Sequence, residues 1–393
     1  MSRTIDGGGI DEVLSGAVES GAVPHVAAIA ADADGVFYEG AAGTRLTESG
    51  PQPVSTSTHF RIMSMTKMVA TTAALQQVER GELNLDAPVA SYLPEFGELQ
   101  VLDGFDGDTP RLRAPRSQAT VKNLITHTSG LSYWFFNEDL KRYEEVTGLP
   151  NVVPGDLAAF RAPLVADPGT RFEYGINTDW LGKVVEKVAG TTLDVVIKEG
   201  VTGPLGMDDT MFALDDARQG NKTAVHVKGE DGTWASAGNV LPDDPQWWAG
   251  GHGLHSTPRD YIRFERALLR GGELDGTRIL SQQMVDAAFS DQLGGIAMPT
   301  EIPTADPPIT QTFVLGEGWT WGYGLLLNTV DVPGARKAWT GAWAGLFNTH
   351  FFVDRTTGIC ASIYTNSLPF ITDEAFALYG DFEGALYAAL SGA

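Results

Sequence analysis

Phe60-Arg-Ile-Met-Ser-Met-Thr-Lys67 is the stretch from which the rest of the chain can be read. Ser64 and Lys67 form an S-x-x-K pair. They open a segment running to Glu79 whose apolar residues (Met65, Met68, Val69, Ala73, Leu75 and Val78) recur at helical spacing until Gly81 stops it. Three-residue spacing puts both side chains on one face, about one turn apart. A serine in that place is a candidate nucleophile and the lysine a candidate base. The same serine also reads as an ordinary helix cap, so the pair decides nothing until other residues join it.

Composition narrows the field. The chain has 393 residues, enough for two domains or one large domain with an insertion, and a formal net charge of −23. That charge argues against nucleic acid and anionic membrane surfaces as partners, since both are held by Lys and Arg. The single cysteine, Cys360, lies in Gly358-Ile-Cys-Ala-Ser-Ile-Tyr364, an alternating strand pattern; it reads as a buried thiol and cannot form an internal disulfide. The seven histidines show no metal-ligand spacing, and His252 and His255 lack a nearby carboxylate to complete a site. No metal or cofactor is expected. The amino terminus has no basic stretch followed by an apolar run, and no segment reaches transmembrane length, so a cytoplasmic protein is expected.

Working outward, residues 9–20 read as a helix, and His25–Ala31 with Val36–Gly43 as an antiparallel hairpin. Thr44–Ser57 reads as a polar loop, and residues 97–119, rich in Gly, Asp, Pro and Arg, as another. Val121–Leu131 is a short helix ending at Gly130, followed by the aromatic run Tyr133-Trp-Phe-Phe136. Residues 137–167, the segment after Tyr174, and residues 191–206 read as helical. Strands return near the end, at Trp321–Leu327, Lys337–Gly341, His350–Asp354 and Ile359–Asn366, before a last helix, Glu374–Leu390. The expected fold class is α/β, an antiparallel sheet flanked by helices with an inserted helical lobe. The boundaries are 1–84 with 236–393 for the α/β part and 85–235 for the mainly helical part, with the site in the cleft between them.

The order of features resembles the serine β-lactamase and penicillin-binding-protein superfamily, in its class C-like branch, and within it the carboxylesterases called family VIII. Five stretches carry the resemblance across nearly the whole chain: Ser64-Met-Thr-Lys67, Leu124-Ile-Thr-His-Thr-Ser-Gly-Leu131, Phe172-Glu-Tyr174 before a helix, Gly250-Gly-His-Gly-Leu-His-Ser-Thr-Pro-Arg-Asp260, and Trp343-Ala-Gly345-Leu346 before a strand. The resemblance implies a β-lactamase/transpeptidase-like fold, with Ser64 as nucleophile and Lys67 and Tyr174 sharing the general-base and general-acid work; which of the two takes the first proton stays open. It assigns the oxyanion hole to the backbone N–H groups of Ser64 and Leu346, with Gly345 allowing close approach. Tyr133, Trp134 and Trp343 are candidate walls of a substrate pocket.

Two departures bear on substrate. Lactamases of this branch carry Tyr-x-Asn, whereas here Ile176 stands in the amide's place and Asn177 comes one residue late. Their Lys-Thr-Gly is replaced by Trp343-Ala-Gly345, with Trp339-Thr-Gly341 as an alternative register. Both changes remove groups that would hold a β-lactam. The expectation is a carboxylesterase acting on small to medium acyl esters, with a small-molecule ester as its partner and its oligomeric state open. The alternatives are a β-lactamase or D-amino-acid peptidase on the same fold, or a catalytically silent penicillin-recognition module.

Overall fold

The computed structural model describes residues 3–47, 50–238, 240–242 and 244–392. Its centre is an eight-stranded antiparallel sheet. In spatial order the strands are Trp319–Trp321, Leu326–Asn328, Gly341–Gly345, Thr349–Asp354, Ile359–Tyr364, His25–Asp32, Val36–Thr47 and Gly50–Pro53. The first strand of the chain therefore pairs with one of its last, Ala27 opposite Tyr364 through Asp32 opposite Ile359.

All eight residues of His25–Asp32 are buried, because both faces of the sheet are covered. Ala27, Ile29 and Ala31 point into the larger core, with Met68, Val69 and Phe264. Val26, Ala28 and Ala30 point the other way, into a second core with Ile10, Leu14, Phe382 and Leu386. Helices Gly8–Glu19 and Asp373–Ser391 thus close one face, while Pro258–Leu269 and Thr66–Glu79 lie on the other. This is the sheet-and-helix architecture expected from the sequence. Among the described residues no helix is long and apolar enough to cross a membrane.

Residues 85–235 hold helices Val121–Ile125, Glu138–Thr147, Asn177–Ala189, Leu193–Ile197 and Asp216–Gln219. They also hold a hairpin where the sequence suggests an exposed loop: Val101–Asp106 pairs with Thr109–Arg113 around Gly107, and Val101 and Leu102 are buried. Acidic and basic residues crowd that stretch because they pair with one another, as Arg113 does with Asp103 and Asp167.

Four other expectations change. The loop after Gly43 is an extension of the hairpin, with Gly50–Pro53 as an edge strand. The supposed strand Trp321–Leu327 is two strands and a turn; a Cβ on Gly322 would stand 1.9 Å from the Ala288 carbonyl oxygen, so the turn packs without a side chain. Lys337–Gly341 is not a strand. Trp339 takes a left-handed φ of 66° and pairing begins only at Gly341. The helix read over 191–206 is α-helical at Leu193–Ile197, widens into the π-helix Lys198–Thr202 and ends there.

One buried ion pair ties the turn before Gly341 to the last helix. Arg336 Nε donates to Glu383 Oε1 at 2.8 Å, as does the Arg336 backbone N–H at 3.1 Å, and both side chains are buried. Removing one member strands the other charge, which destabilises by about 3–5 kcal/mol. Glu383→Ala is therefore expected to lower unfolding free energy by that amount in a denaturant titration.

Candidate active site

Phe60–Arg61 pairs with His255–Ser256, and Ile62 N–H donates to the Leu254 carbonyl at 3.1 Å. These bonds lay the Gly250–Ser256 segment beside the S-x-x-K stretch. Met63 then adopts a φ of 47°, uncommon for a residue with a side chain, and turns the chain into the short 3-10 turn Met63–Met65 ahead of helix Thr66–Glu79. Ser64 thus sits in a tight turn before the helix rather than on it. Such backbone strain persists where the surroundings enforce it. Here the enforcing neighbour is the strand Gly341–Gly345: a Cβ on Gly345 would lie 2.3 Å from the Ile62 carbonyl oxygen. Thr349 Oγ1 donates to that same carbonyl at 3.2 Å.

Lys67 lies one turn on and is almost wholly buried. Its Nζ is 3.2 Å from Ser64 Oγ, 2.9 Å from the Tyr133 hydroxyl and 2.9 Å from the Gly251 carbonyl oxygen. Burial pushes the Lys67 amine down to about 7, against the opposing charge of Asp179. A neutral amine has two N–H groups and one lone pair. The Gly251 carbonyl can only accept, so it takes one N–H, and the lone pair is left for a hydroxyl proton from Ser64 or Tyr133.

Tyr174 precedes helix Asn177–Ala189, and its ring lies 4.8 Å from Lys67 Nζ. The Trp343 indole N–H donates to the Tyr174 hydroxyl at 3.0 Å. An indole only donates, so the Tyr174 hydroxyl keeps its own proton and a further lone pair for a neighbour in the cleft. Burial holds the Tyr174 phenol well above its ordinary range, and does the same to Tyr133. Both are protonated at rest.

Ser64, Tyr133, Trp134, Tyr174, Trp343 and Leu346 all line one cleft of about 580 Å³ including its mouth. Phe135, Phe136, Phe313 and Phe370 complete its aromatic wall. Lys67 lies beneath it, and Gly345 holds the strand against the serine turn. Among the described residues the lining contains no Lys or Arg, and its one imidazole, His252, is driven down to about 3 by burial and by the charges of Lys67 and Arg61. A smaller cavity of about 380 Å³ continues past Val152, Val153 and His252 towards Arg61 and Trp247.

Trp343 rather than Trp339 meets Tyr174, so the first register of that motif is the one the fold uses; Trp339 is 45% exposed. Asn177 turns away from the cleft, with its amide bonded to Ser129 Oγ and to the Leu131 and Glu173 carbonyls. Sequence reasoning placed Tyr133 only as a wall, but the structure also puts its hydroxyl on Lys67. It missed His127, which packs its ring 4.7 Å from Tyr174, and Asp179, whose carboxylate accepts the Gly251 N–H at 2.8 Å. The available signals were weak: a histidine within a motif, and an acid in the first turn of a helix.

The chain is similar in sequence and fold to known proteins. A lovastatin esterase of Penicillium rubens is 33% identical over 365 residues, covering 89% of this chain and 90% of that protein. A monacolin J acid methylbutanoyltransferase of Aspergillus terreus is 30% identical over 391 residues, covering 95% and 93%. Among solved structures, unliganded simvastatin synthase from Aspergillus terreus matches with a TM-score of 0.81 at 27% identity over 98% of both chains. EstCE1, a hydrolase with promiscuous acyltransferase activity, shares the fold at a TM-score of 0.76 and 23% identity, covering 96% of this chain and 97% of that one. The Beta-lactamase family model matches residues 10–386, and the chain belongs to that family, within the serine β-lactamase and penicillin-binding-protein superfamily.

Proposed function

We propose that the chain is a serine esterase of the family VIII type. It would take the acyl group of an uncharged, apolar ester onto Ser64 and pass it to water or to a second alcohol. The observation that carries this reading is the cleft over Ser64: aromatic on most sides, free of Lys and Arg, with Trp343 where a lactam-binding cation would stand. The names of the relatives, a lovastatin esterase and a methylbutanoyltransferase, agree with ester acyl transfer.

In the mechanism, Lys67 takes the Ser64 proton as Oγ bonds to the acyl carbon. The carbonyl π pair moves onto oxygen, facing the backbone N–H groups of Ser64 and Leu346. The bond to the alcohol then breaks, and Tyr174, resupplied by Lys67, gives the leaving oxygen its proton. Water or another alcohol attacks the acyl-enzyme by the reverse sequence. The apolar wall disfavours free water beside the acyl group, which favours an apolar alcohol as acceptor.

The test is substrate class. The protein is expected to hydrolyse p-nitrophenyl butyrate about 100-fold or more faster than nitrocefin, since a pocket without the polar partners of a β-lactam loses discrimination of that order. Added apolar alcohol is expected to divert product from free acid to ester. Comparable turnover of nitrocefin and the butyrate would overturn the esterase reading in favour of a lactamase.

A further inference from the structure

Helix Asn177–Ala189 carries Asp179 in its first turn, five residues after Tyr174. Asp179 is wholly buried. Its Oδ1 accepts the Gly251 N–H at 2.8 Å, and the Gly251 carbonyl in turn accepts from Lys67 Nζ at 2.9 Å. Its Oδ2 has no hydrogen-bond partner. An acid in the first turn of a helix has an ordinary explanation, attraction to the positive end of the helix dipole. A solvent-facing acid would serve that purpose equally well, and a buried carboxylate with one bare oxygen is costly to keep.

The neighbouring glycines are fitted to it. A Cβ on Gly251 would stand 2.5 Å from Asp179 Oδ2, and one on Gly250 2.7 Å from the Thr178 carbonyl. The Gly250-Gly251 backbone therefore lies directly on the helix turn, and the carboxylate fixes where the Gly251 carbonyl points. Around Lys67 stand Ser64, Tyr133, Tyr174, His127, His252 and Asp179. Burial and the lysine's own charge drive both imidazoles neutral, and burial keeps both phenols protonated. Asp179 is the one carboxylate acting on Lys67 among the described residues.

We propose that Asp179 is a positioning residue of this site: it holds Gly251 so that the carbonyl aims the Lys67 amine at Ser64, and its charge balances the ammonium formed when Lys67 takes the serine proton. The inference rests on Ser64 being the nucleophile. In the step concerned, the Nζ lone pair takes the hydroxyl proton, Oγ bonds to the acyl carbon, and the carbonyl π pair moves to oxygen. Ammonium and oxyanion appear together, and Asp179, whose carboxyl burial raises to about 6 against the charge of Lys67, remains a carboxylate above that pH.

Asp179→Asn keeps the shape and an oxygen for the Gly251 N–H but removes the charge. The readout is the rate at which a fluorophosphonate labels Ser64 across pH. Ser64 needs Lys67 deprotonated, so labelling rises as pH passes the lysine pKa. The aspartate's negative charge raises that pKa, so its removal is expected to move the acid limb about one pH unit or more lower. The high-pH plateau is expected to fall about ten-fold or more, because the base is weaker and its ammonium unbalanced. An aspartate that merely held the fold would leave the midpoint where it was. An unchanged midpoint and plateau in a folded Asp179→Asn chain overturns the inference while leaving the esterase reading intact. A wild type that is not labelled overturns both. If Asp179→Asn does not fold, Gly251→Ala decides the positioning role: it keeps the charge but displaces the carbonyl, and a wild-type plateau there overturns that role.

Discussion

Lys67→Met is expected to slow ester hydrolysis by about 10⁴-fold while leaving the protein as stable as the wild type or more so. The loss follows from the roles around Nζ. A serine hydroxyl is a weak nucleophile without a base in contact, and general-base assistance contributes up to about 10⁴-fold. Its neighbours are poor substitutes: Tyr133 and Tyr174 are held protonated by burial, and His252, driven down to about 3, is a weak base. The stability gain has a separate cause. Lys67 is almost wholly buried, and an amine in that setting is retained at the expense of the fold; methionine fills the same volume with no polar atom to desolvate. Ser64→Ala is expected to abolish turnover to the buffer rate, also without unfolding. Lost activity with an unchanged or raised melting temperature is the signature to look for in both variants. A Lys67→Met chain that keeps more than about a tenth of wild-type kcat would move the base to another residue.

The second large effect is expected from Gly345→Ala. The added Cβ would fall 2.3 Å from both the Ile62 carbonyl oxygen and Thr349 Oγ1. The threonine can rotate away; the backbone carbonyl, which accepts the Met65 N–H at 3.1 Å inside the serine turn, cannot. The strand must retreat from the serine turn, carrying the Leu346 N–H with it. With the Leu346 N–H proposed as an oxyanion donor, its loss is expected to lower kcat by about 10²–10³-fold. The accompanying strain is expected to take about 1–3 kcal/mol from stability. The measurement is kcat on p-nitrophenyl butyrate beside a thermal melt. A kcat within about three-fold of wild type would remove Leu346 from the oxyanion hole.

Much of the fold was legible because apolar patterning survives tertiary context. The alternation at Ile359–Tyr364 and the continuous apolar run at His25–Ala31 are signals of strands, and both proved to be central ones. Failures occurred where side-chain type and backbone role part company. Val101–Asp106 reads as loop because its outward residues are acidic, yet its first two residues are core. Trp339 looks like a strand aromatic but occupies a left-handed turn. In the site, Ser64, Lys67 and Tyr174 could be named because their chemistry sits in motifs. The bond from Tyr133 to Lys67, and the path from Asp179 through Gly251, join residues far apart in the chain, which no local spacing encodes.

The bond from Thr349 to the Ile62 carbonyl spans 287 residues. Its consequence concerns timing. The serine turn and the helix Thr66–Glu79 after it exist early in synthesis, yet the strand that braces that turn, and the strand Ile359–Tyr364 that joins it to His25–Asp32, emerge near the end. Contacts of such long range form late and slowly. A nascent chain can therefore display Ser64 and Lys67 for most of its synthesis without the strand that braces the serine turn, and the proposed site is complete only when the last strands dock.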